Sequence, residues 1–163
     1  MRRQRHGFTL MEIVVALAIV ALLATMALPS MTNGIVRKQI ADAVPLADIV
    51  KQAVAASWAG AAAIPANNAN AGLPPPGKIV NNYVSSVALE SGAIQITFGN
   101  SAQGVIAGKI LTLRPAIVAD APVVPVAWIC AHAPVPAGMT VLGDDRTNIP
   151  VSMLPYNCKA AAK

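Results

Sequence analysis

The sequence is poor in charge and in cysteine. Charged residues make up only 12% of its 163 residues, whereas 55% are hydrophobic. The two cysteines, Cys130 and Cys158, lack the Cys-x-x-Cys pairing and the histidine spacing of a zinc motif. The composition therefore predicts no zinc site. A disulfide formed in an oxidising compartment is the natural interpretation of the two thiols.

Candidate catalytic and metal-binding residues are also scarce. His132 has no serine or cysteine partner at a supporting spacing, so we interpret it as a surface histidine. Asp144 and Asp145 could ligate calcium, but two carboxylates are few for a hard cation, and a solvated turn is predicted instead. Residues 104–110 are one spacer short of a phosphate-binding loop and predict a hairpin loop. We expect no enzymatic activity, no metal and no cofactor.

The basic charge lies mostly at the N-terminus. The formal net charge is +5, and Arg2, Arg3 and Arg5 contribute three of the twelve basic residues. Without residues 1–7, the chain has nine basic and seven acidic side chains, a net charge of +2, and no cluster of basic residues. The chain therefore predicts nucleic-acid contact that is weak at most.

An apolar segment follows the arginines. Among residues 8–28 only Thr9, Glu12 and Thr25 are polar, and a helix of that length spans roughly 30 Å, the thickness of a bilayer core. The arginines should stay cytoplasmic, which sends the chain after Pro29 to the outer side of the membrane. The length suits one compact domain beside this segment.

Three ordinary interpretations of the segment compete. A secretory signal peptide would use Thr25-Met26-Ala27 as its cleavage site, and a plain membrane anchor or a buried core helix would also be apolar. Glu12 argues against the signal peptide and the anchor, since a carboxylate at a helix centre costs about 3 kcal/mol on insertion scales. An ionisable residue inside an apolar span predicts a functional site with a cationic partner.

The residues Gly7-Phe8-Thr9-Leu10-Met11-Glu12 resemble the prepilin peptidase site of type IV pilins and type II secretion pseudopilins. The resemblance combines a short basic leader, glycine at the cut, phenylalanine after it and glutamate as the fifth mature residue. It implies cleavage between Gly7 and Phe8, followed by N-methylation of Phe8. It also implies that the Glu12 carboxylate neutralises the Phe8 ammonium of a neighbouring subunit. A buried pair of this kind is physically tolerable only when both charges are present.

Further motifs resemble major pilins more closely than pseudopilins. They are Ile96-Thr97-Phe98-Gly99, Gly108-Lys109 with Leu111 and Leu113, Trp128-Ile129-Cys130, and Leu154-Pro155 before Cys158. The resemblance implies that the two cysteines close a terminal loop exposed on the fibre. On a strand, Trp128 would share a face with Cys130 and pack near the bridge. One departure is Ala21, a strong helix former that stands where many pilins have a glycine. The missing backbone donor of Pro29 still predicts that the helix unwinds near this residue in the assembled state, but the N-terminal limit of the unwound segment stays open.

An amphipathic pattern continues beyond Pro29. We expect one helix from Phe8 to about Ala61, roughly 80 Å long, which Pro45 bends without ending. Gly60 and Pro65 mark its end. Its core stripe consists of apolar residues at three- and four-residue intervals: Val36, Ile40, Val44, Ala47, Val50, Val54 and Trp58.

A surface loop and a sheet are predicted next. Residues 65–77 lack periodicity and concentrate turn formers, which predicts an exposed loop and a place for filament-surface contacts. Strand-like runs follow at Ala93–Phe98, 109–114 and 126–131. The predicted fold class is α+β, with a long N-terminal helix packed on an antiparallel sheet in the manner of type IV pilins.

The predicted organisation has three parts: a leader at 1–7, a membrane and filament-core segment at 8–28, and a globular part at 29–163. The predicted protein is a major pilin, first in the inner membrane and then in an extracellular homopolymer for adhesion, twitching motility or DNA uptake. Its partners would be the prepilin peptidase and N-methyltransferase and the pilus assembly machinery. A minor pilin or a secretion pseudopilin is the alternative. An uncut N-terminus or cleavage after Ala27 would instead favour a periplasmic binding or enzymatic domain on an anchor.

Overall fold

The structure is a computed structural model that describes residues 7–61 and 63–160, without the side chains of 26–31 and 61. The predicted leader, apart from Gly7, lies outside the described residues. The chain divides into two compact units, Met1–Ile35 and Val36–Lys163, which are described separately.

The first long helix, α1, runs over Leu10–Ala43. Thr9 precedes it, and the α-helical backbone continues through position 29. Of the helices in the described residues, none is both long enough and apolar enough to span a bilayer. Unwinding near Pro29 concerns the assembled state and stays a prediction.

Pro45 changes the helix more than the sequence predicts. α1 ends at Ala43, a 3-10 turn covers Val44–Ala47, and the second helix, α2, runs over Asp48–Ala61. A proline cannot donate to the carbonyl four residues earlier, and a tighter turn accommodates that loss. Ala43 and Asp48 keep right-handed helical dihedrals, so the helical path continues. The expectation of one uninterrupted α-helix is therefore wrong at Pro45, while its end at Ala61 is confirmed.

The predicted helix stripe forms one side of the core. All seven stripe residues are buried except Val44, which is partly buried. Six of them, all but Trp58, pack in the same cluster as sheet residues such as Phe98, Leu111 and Leu113. The second unit is therefore a helix-on-sheet α+β domain, which confirms the predicted fold class.

Five strands form one antiparallel sheet in the order β1-β2-β3-β4, with β5 also paired to β3. Their bounds are Val84–Glu90 for β1, Ala93–Phe98 for β2, Ile110–Ile117 for β3, Ala127–Cys130 for β4 and Thr140–Val141 for β5. Three correspond to the predicted strands, while β1 and β5 are additional.

The β1–β2 hairpin has a recognisable sequence signal that the prediction missed. Ser91 and Gly92 connect the strands, and both have positive φ, 49° and 86°. Two-residue hairpin loops favour this conformation because its twist matches that of the strands. A Cβ at Gly92 would also lie 2.6 Å from Ile64 Cγ2. Ser-Gly after an alternating apolar run therefore marked the hairpin.

The loop at 65–77 is more than a surface loop. Most of it is exposed, but Asn68 is buried and bonds to the outer edge of β1. Its side chain donates to Val87 O at 3.2 Å and accepts from Leu89 N at 2.7 Å. The loop thus blocks an edge that would otherwise be open for pairing.

Candidate functional site

The N-terminal part of α1 displays apolar side chains on all sides. Within the described residues, every side chain from Phe8 to Thr25 is exposed. Phe8 is 77% exposed and Leu10 is 83% exposed. A continuous apolar surface of this kind marks an interaction with protein or lipid.

Glu12 is the acidic residue in the first turn of this helix. Its backbone N–H donates to Thr9 Oγ1 at 3.2 Å, and the N–H of Ile13 donates to Thr9 O at 3.3 Å. Thr9-x-x-Glu12 is thus a capping-box sequence, with Thr9 at the N-cap and Glu12 at the third helical position. Among the described residues, Glu12 has no cationic partner. The capping pattern, readable from the sequence, is a local role for Glu12 that the prediction missed.

Gly7 and Phe8 precede the cap directly. A Cβ added at Gly7 would meet no atom within 4 Å. The fold of the described chain therefore does not require glycine at this position. A requirement for glycine would have to come from another molecule, such as a peptidase. Cleavage and methylation here stay predictions.

The two cysteines are joined. Cys130 at the end of β4 and Cys158 in a short 3-10 turn form a disulfide with a Cα–Cα distance of 4.6 Å. Both residues are buried, and Trp128 lines the same cavity of about 270 Å³. The predicted bridge and the position of Trp128 beside it are confirmed.

The loop closed by this disulfide crosses the outer face of the sheet. β5 pairs with Ala116 and Ile117 of β3, and farther along the loop Asn148 N donates to Ile110 O at 3.2 Å. Between these points Arg146 N donates to Thr112 Oγ1 at 3.0 Å. We call residues 140–149 the strap.

A buried polar pair lies under the strap. Thr112 Oγ1 donates to Gln95 Oε1 at 2.7 Å, and both side chains are buried. Gln95 Nε2 reaches Asp144 O at 3.4 Å. Polar residues at alternate positions of β2 and β3 normally indicate a solvent face, so no pattern in these strands predicts that the strap covers them.

Asp145 connects the strap to His132, which lies outside it. Its carboxylate accepts from Thr147 N at 2.9 Å and lies 3.0 Å from His132 Nδ1. Burial by itself raises the pKa of Asp145, but hydrogen bonds from Thr147 and the nearby His132 and Arg114 outweigh burial, and the pKa is lowered below its ordinary value. His132 is an exposed loop residue, as predicted. Within the described residues, no group of three or more His, Cys, Asp or Glu side chains could hold a metal ion.

The described residues define a class of protein: a chain with an α+β domain and a long helix whose N-terminal part exposes apolar side chains. Residues 36–159 match the family model "Pilin (bacterial filament)", and residues 2–28 match the "Prokaryotic N-terminal methylation motif". The chain therefore belongs to the pilin family, whose members are structural subunits of bacterial filaments.

Several relatives are similar over most of the chain. The "Type IV major pilin protein PilE1" of Neisseria gonorrhoeae is 34% identical over 99% of this chain and 91% of its own length. A "Fimbrial protein" of Neisseria meningitidis serogroup A is 35% identical over 69% of this chain and 67% of its own. The "Fimbrial protein EcpC" of Eikenella corrodens is 36% identical over 70% of this chain and 76% of its own.

Proposed function

We propose that this chain is the major subunit of a type IV pilus, cut after Gly7, N-methylated at Phe8 and polymerised through residues 8–28. The names of the relatives and the match to the methylation motif support this assignment. The prepilin peptidase and N-methyltransferase would process it, and the pilus assembly machinery would extract it from the inner membrane. The resulting extracellular filament would serve adhesion, twitching motility or DNA uptake.

One observation carries the proposal: an exposed apolar helix with one carboxylate near its beginning. Such a surface has two suitable environments, the lipid of a bilayer and the apolar core of a bundle of copies. In the bilayer, Glu12 lies four residues from the cut end, where its carboxylate reaches the polar interface. In a filament core it needs a cation.

The Phe8 amine created by cleavage is that cation. It forms at the same end of the helix as Glu12, so neighbouring copies that are slightly offset can place one against the other. Removing one partner of a buried pair leaves the other charge uncompensated, at a cost of about 3 to 5 kcal/mol. Loss of the Glu12 carboxylate should therefore spare membrane insertion and damage assembly.

The test compares Glu12→Leu with Glu12→Gln. Glutamine still suits the third helical position of a capping box, whereas it cannot neutralise an ammonium. We expect both variants to be made, processed and held in the membrane, and both to form few fibres. Fibres would be sheared from cells and quantified against subunit abundance. Normal assembly of Glu12→Gln would show that capping, and not charge pairing, is the role of Glu12.

Processing is tested by mass analysis of the N-terminus. We expect mature chains to start at N-methylated Phe8 and Gly7→Val to accumulate uncut in the membrane. Because a side chain at position 7 meets no atom of the described chain, its effect reports on the peptidase. An unmodified Met1, or a start at Leu28, would refute the proposed processing.

A further inference from the structure

A cleft lies against the outer edge of β1, under the loop at 65–77. Its volume is about 630 Å³, within the range of pockets that bind ligands. Its walls come from the loop, with Asn68, Ala69, Leu73 and Pro76, and from the last residues of β1, Leu89 and Glu90.

Polar groups of the cleft already have partners. Asn68 donates to Pro74 O and Val87 O and accepts from Leu89 N. The Glu90 carboxylate is paired with Arg146. The remaining lining is mainly proline, leucine and alanine, so the cleft suits an apolar insert.

A compact apolar tip lies between β3 and β4. Val123 in this connection is 89% exposed, between Pro122 and Pro125. Two turns order the backbone: Ala121 N donates to Val118 O at 3.3 Å and Val124 N donates to Ala121 O at 3.0 Å. Prolines and turns limit the conformational entropy that this tip would lose on binding.

The cleft and the tip lie at the same end of the sheet but at opposite sides. β1 and β3 run parallel to each other because each is antiparallel to β2, so Glu90 and the β3–β4 connection are at one end. The outer strands, β1 and β4, are three strand spacings apart, roughly 14 Å. A contact between different patches on two copies is heterologous and produces an open polymer when it does not close into a ring.

Charges beside the two features are complementary. Asp120 is exposed three residues before Val123, and Lys78 is exposed two residues after Pro76 of the cleft. Since Glu90 is paired with Arg146, the cleft does not present an uncompensated acid to Asp120. Opposite charges at a rim orient partners and exclude wrong registers.

We propose that the Val123 tip of one subunit inserts into the β1-edge cleft of a neighbouring copy in the filament, with Asp120 facing Lys78. The proposal rests on the proposed function, because it requires assembled copies of this chain. It adds a contact between globular domains to the contact made by the N-terminal helices.

Cross-linking in intact fibres tests the contact. A chain carrying Val123→Cys and Ala69→Cys would be treated with a short thiol cross-linker, and we expect a ladder of covalent dimers, trimers and higher species. The matched control combines Val135→Cys, another exposed valine, with Ala69→Cys and should stay monomeric. A ladder from Tyr156→Cys with Ala69→Cys, in place of the Val123 pair, would overturn the proposal, because Tyr156 is 93% exposed and lies near the other end of β4.

Substitutions give a second measure. We expect Val123→Asp to lower fibre yield roughly tenfold, since each contact loses a buried valine, while Val135→Asp leaves it unchanged. Asp120→Lys and Lys78→Asp should each lower the yield, and the double variant should recover it. If wild type forms fibres and every variant is processed normally, the proposed function stands, and the fibre yields of the variants test only this inference. If wild type forms fibres and Val123→Asp forms as many, only the inference fails.

Discussion

At the scale of single residues, Asp145 shows how one carboxylate organises a loop. It bonds to Thr147 within the strap and faces His132, which lies two residues after the bridged Cys130. Its lowered pKa means that the folded protein favours the ionised form. This interaction therefore stabilises the folded state fully at pH values above about 3.9, the pKa of an aspartate in the unfolded chain. The stabilisation is lost as the pH falls through the lower pKa of Asp145 in the folded protein.

Asp145→Asn should lower the free energy of unfolding at pH 7 by about 1 to 2 kcal/mol, because asparagine can still accept from Thr147 but carries no charge. The difference from wild type should start to shrink as the pH falls below about 4 and should vanish below the lower pKa of the folded protein, where the wild-type carboxylate is neutral in both states. Denaturant unfolding of the purified subunit in detergent, at several pH values, measures both quantities. Asp144→Asn is the control, since Asp144 is exposed. A difference that stays constant down to pH 2 would contradict the assignment.

At the scale of secondary structure, the two edges of the sheet differ. β1 is covered by the loop at 65–77 through Asn68, whereas β4 has only four residues. Short strands and covered edges both limit unwanted pairing between sheets. The central strand β3 contains Pro115, which lacks a backbone donor, but pairing with β2 extends only to Leu113, so the missing N–H costs no bond to β2.

Asn68→Ala should destabilise the subunit by about 2 to 4 kcal/mol, because the N–H of Leu89 and the carbonyl of Val87 lose a buried partner. It should also increase aggregation of the purified subunit through the opened β1 edge. Asn70→Ala, in the same loop but exposed, is the matched control and should change stability by less than about 0.5 kcal/mol. Denaturant unfolding and light scattering provide the measurements, and equal effects of both variants would disprove the edge-covering role.

At the scale of the whole molecule, the disulfide holds the C-terminal part on the sheet. The bridged cysteines are 28 residues apart, and the strap lies between them. Arg37 also donates to Ser152 O at 2.6 Å, which ties the same region to α1. The bridge thus limits the freedom of a long loop that also packs Ile149 and Leu154 into the hydrophobic core.

Cys158→Ser should lower the free energy of unfolding by about 3.5 kcal/mol, the chain-entropy value for a loop of this length. The fibre yield should fall with it, since fewer subunits remain folded. Denaturant unfolding would be compared with that of a Cys130→Ser/Cys158→Ser variant, which excludes effects of one free thiol. Unchanged stability of both variants would show that the strap and the helix contacts suffice without the bridge.

Several features of this protein follow from local patterns in its amino-acid sequence. The apolar period from Val36 to Trp58 predicted the buried stripe, alternation and turn residues predicted β2, β3 and β4, and the motif from Gly7 to Glu12 indicated the family. These features could be predicted because they depend on residues close together in the chain.

Which surfaces of the sheet are covered depends on contacts between residues that are far apart in the chain, and these contacts became visible only in the folded structure. Gln95 and Thr112 look like solvent-facing residues of adjacent strands until the strap, more than thirty residues later in the chain, is placed over them. Asn68 likewise looks like part of a polar loop until it meets Val87 and Leu89. Such partners are distant in sequence. The periodicity of a sequence predicts which apolar residues are buried, but it does not predict which backbone group will form a hydrogen bond with a given polar side chain.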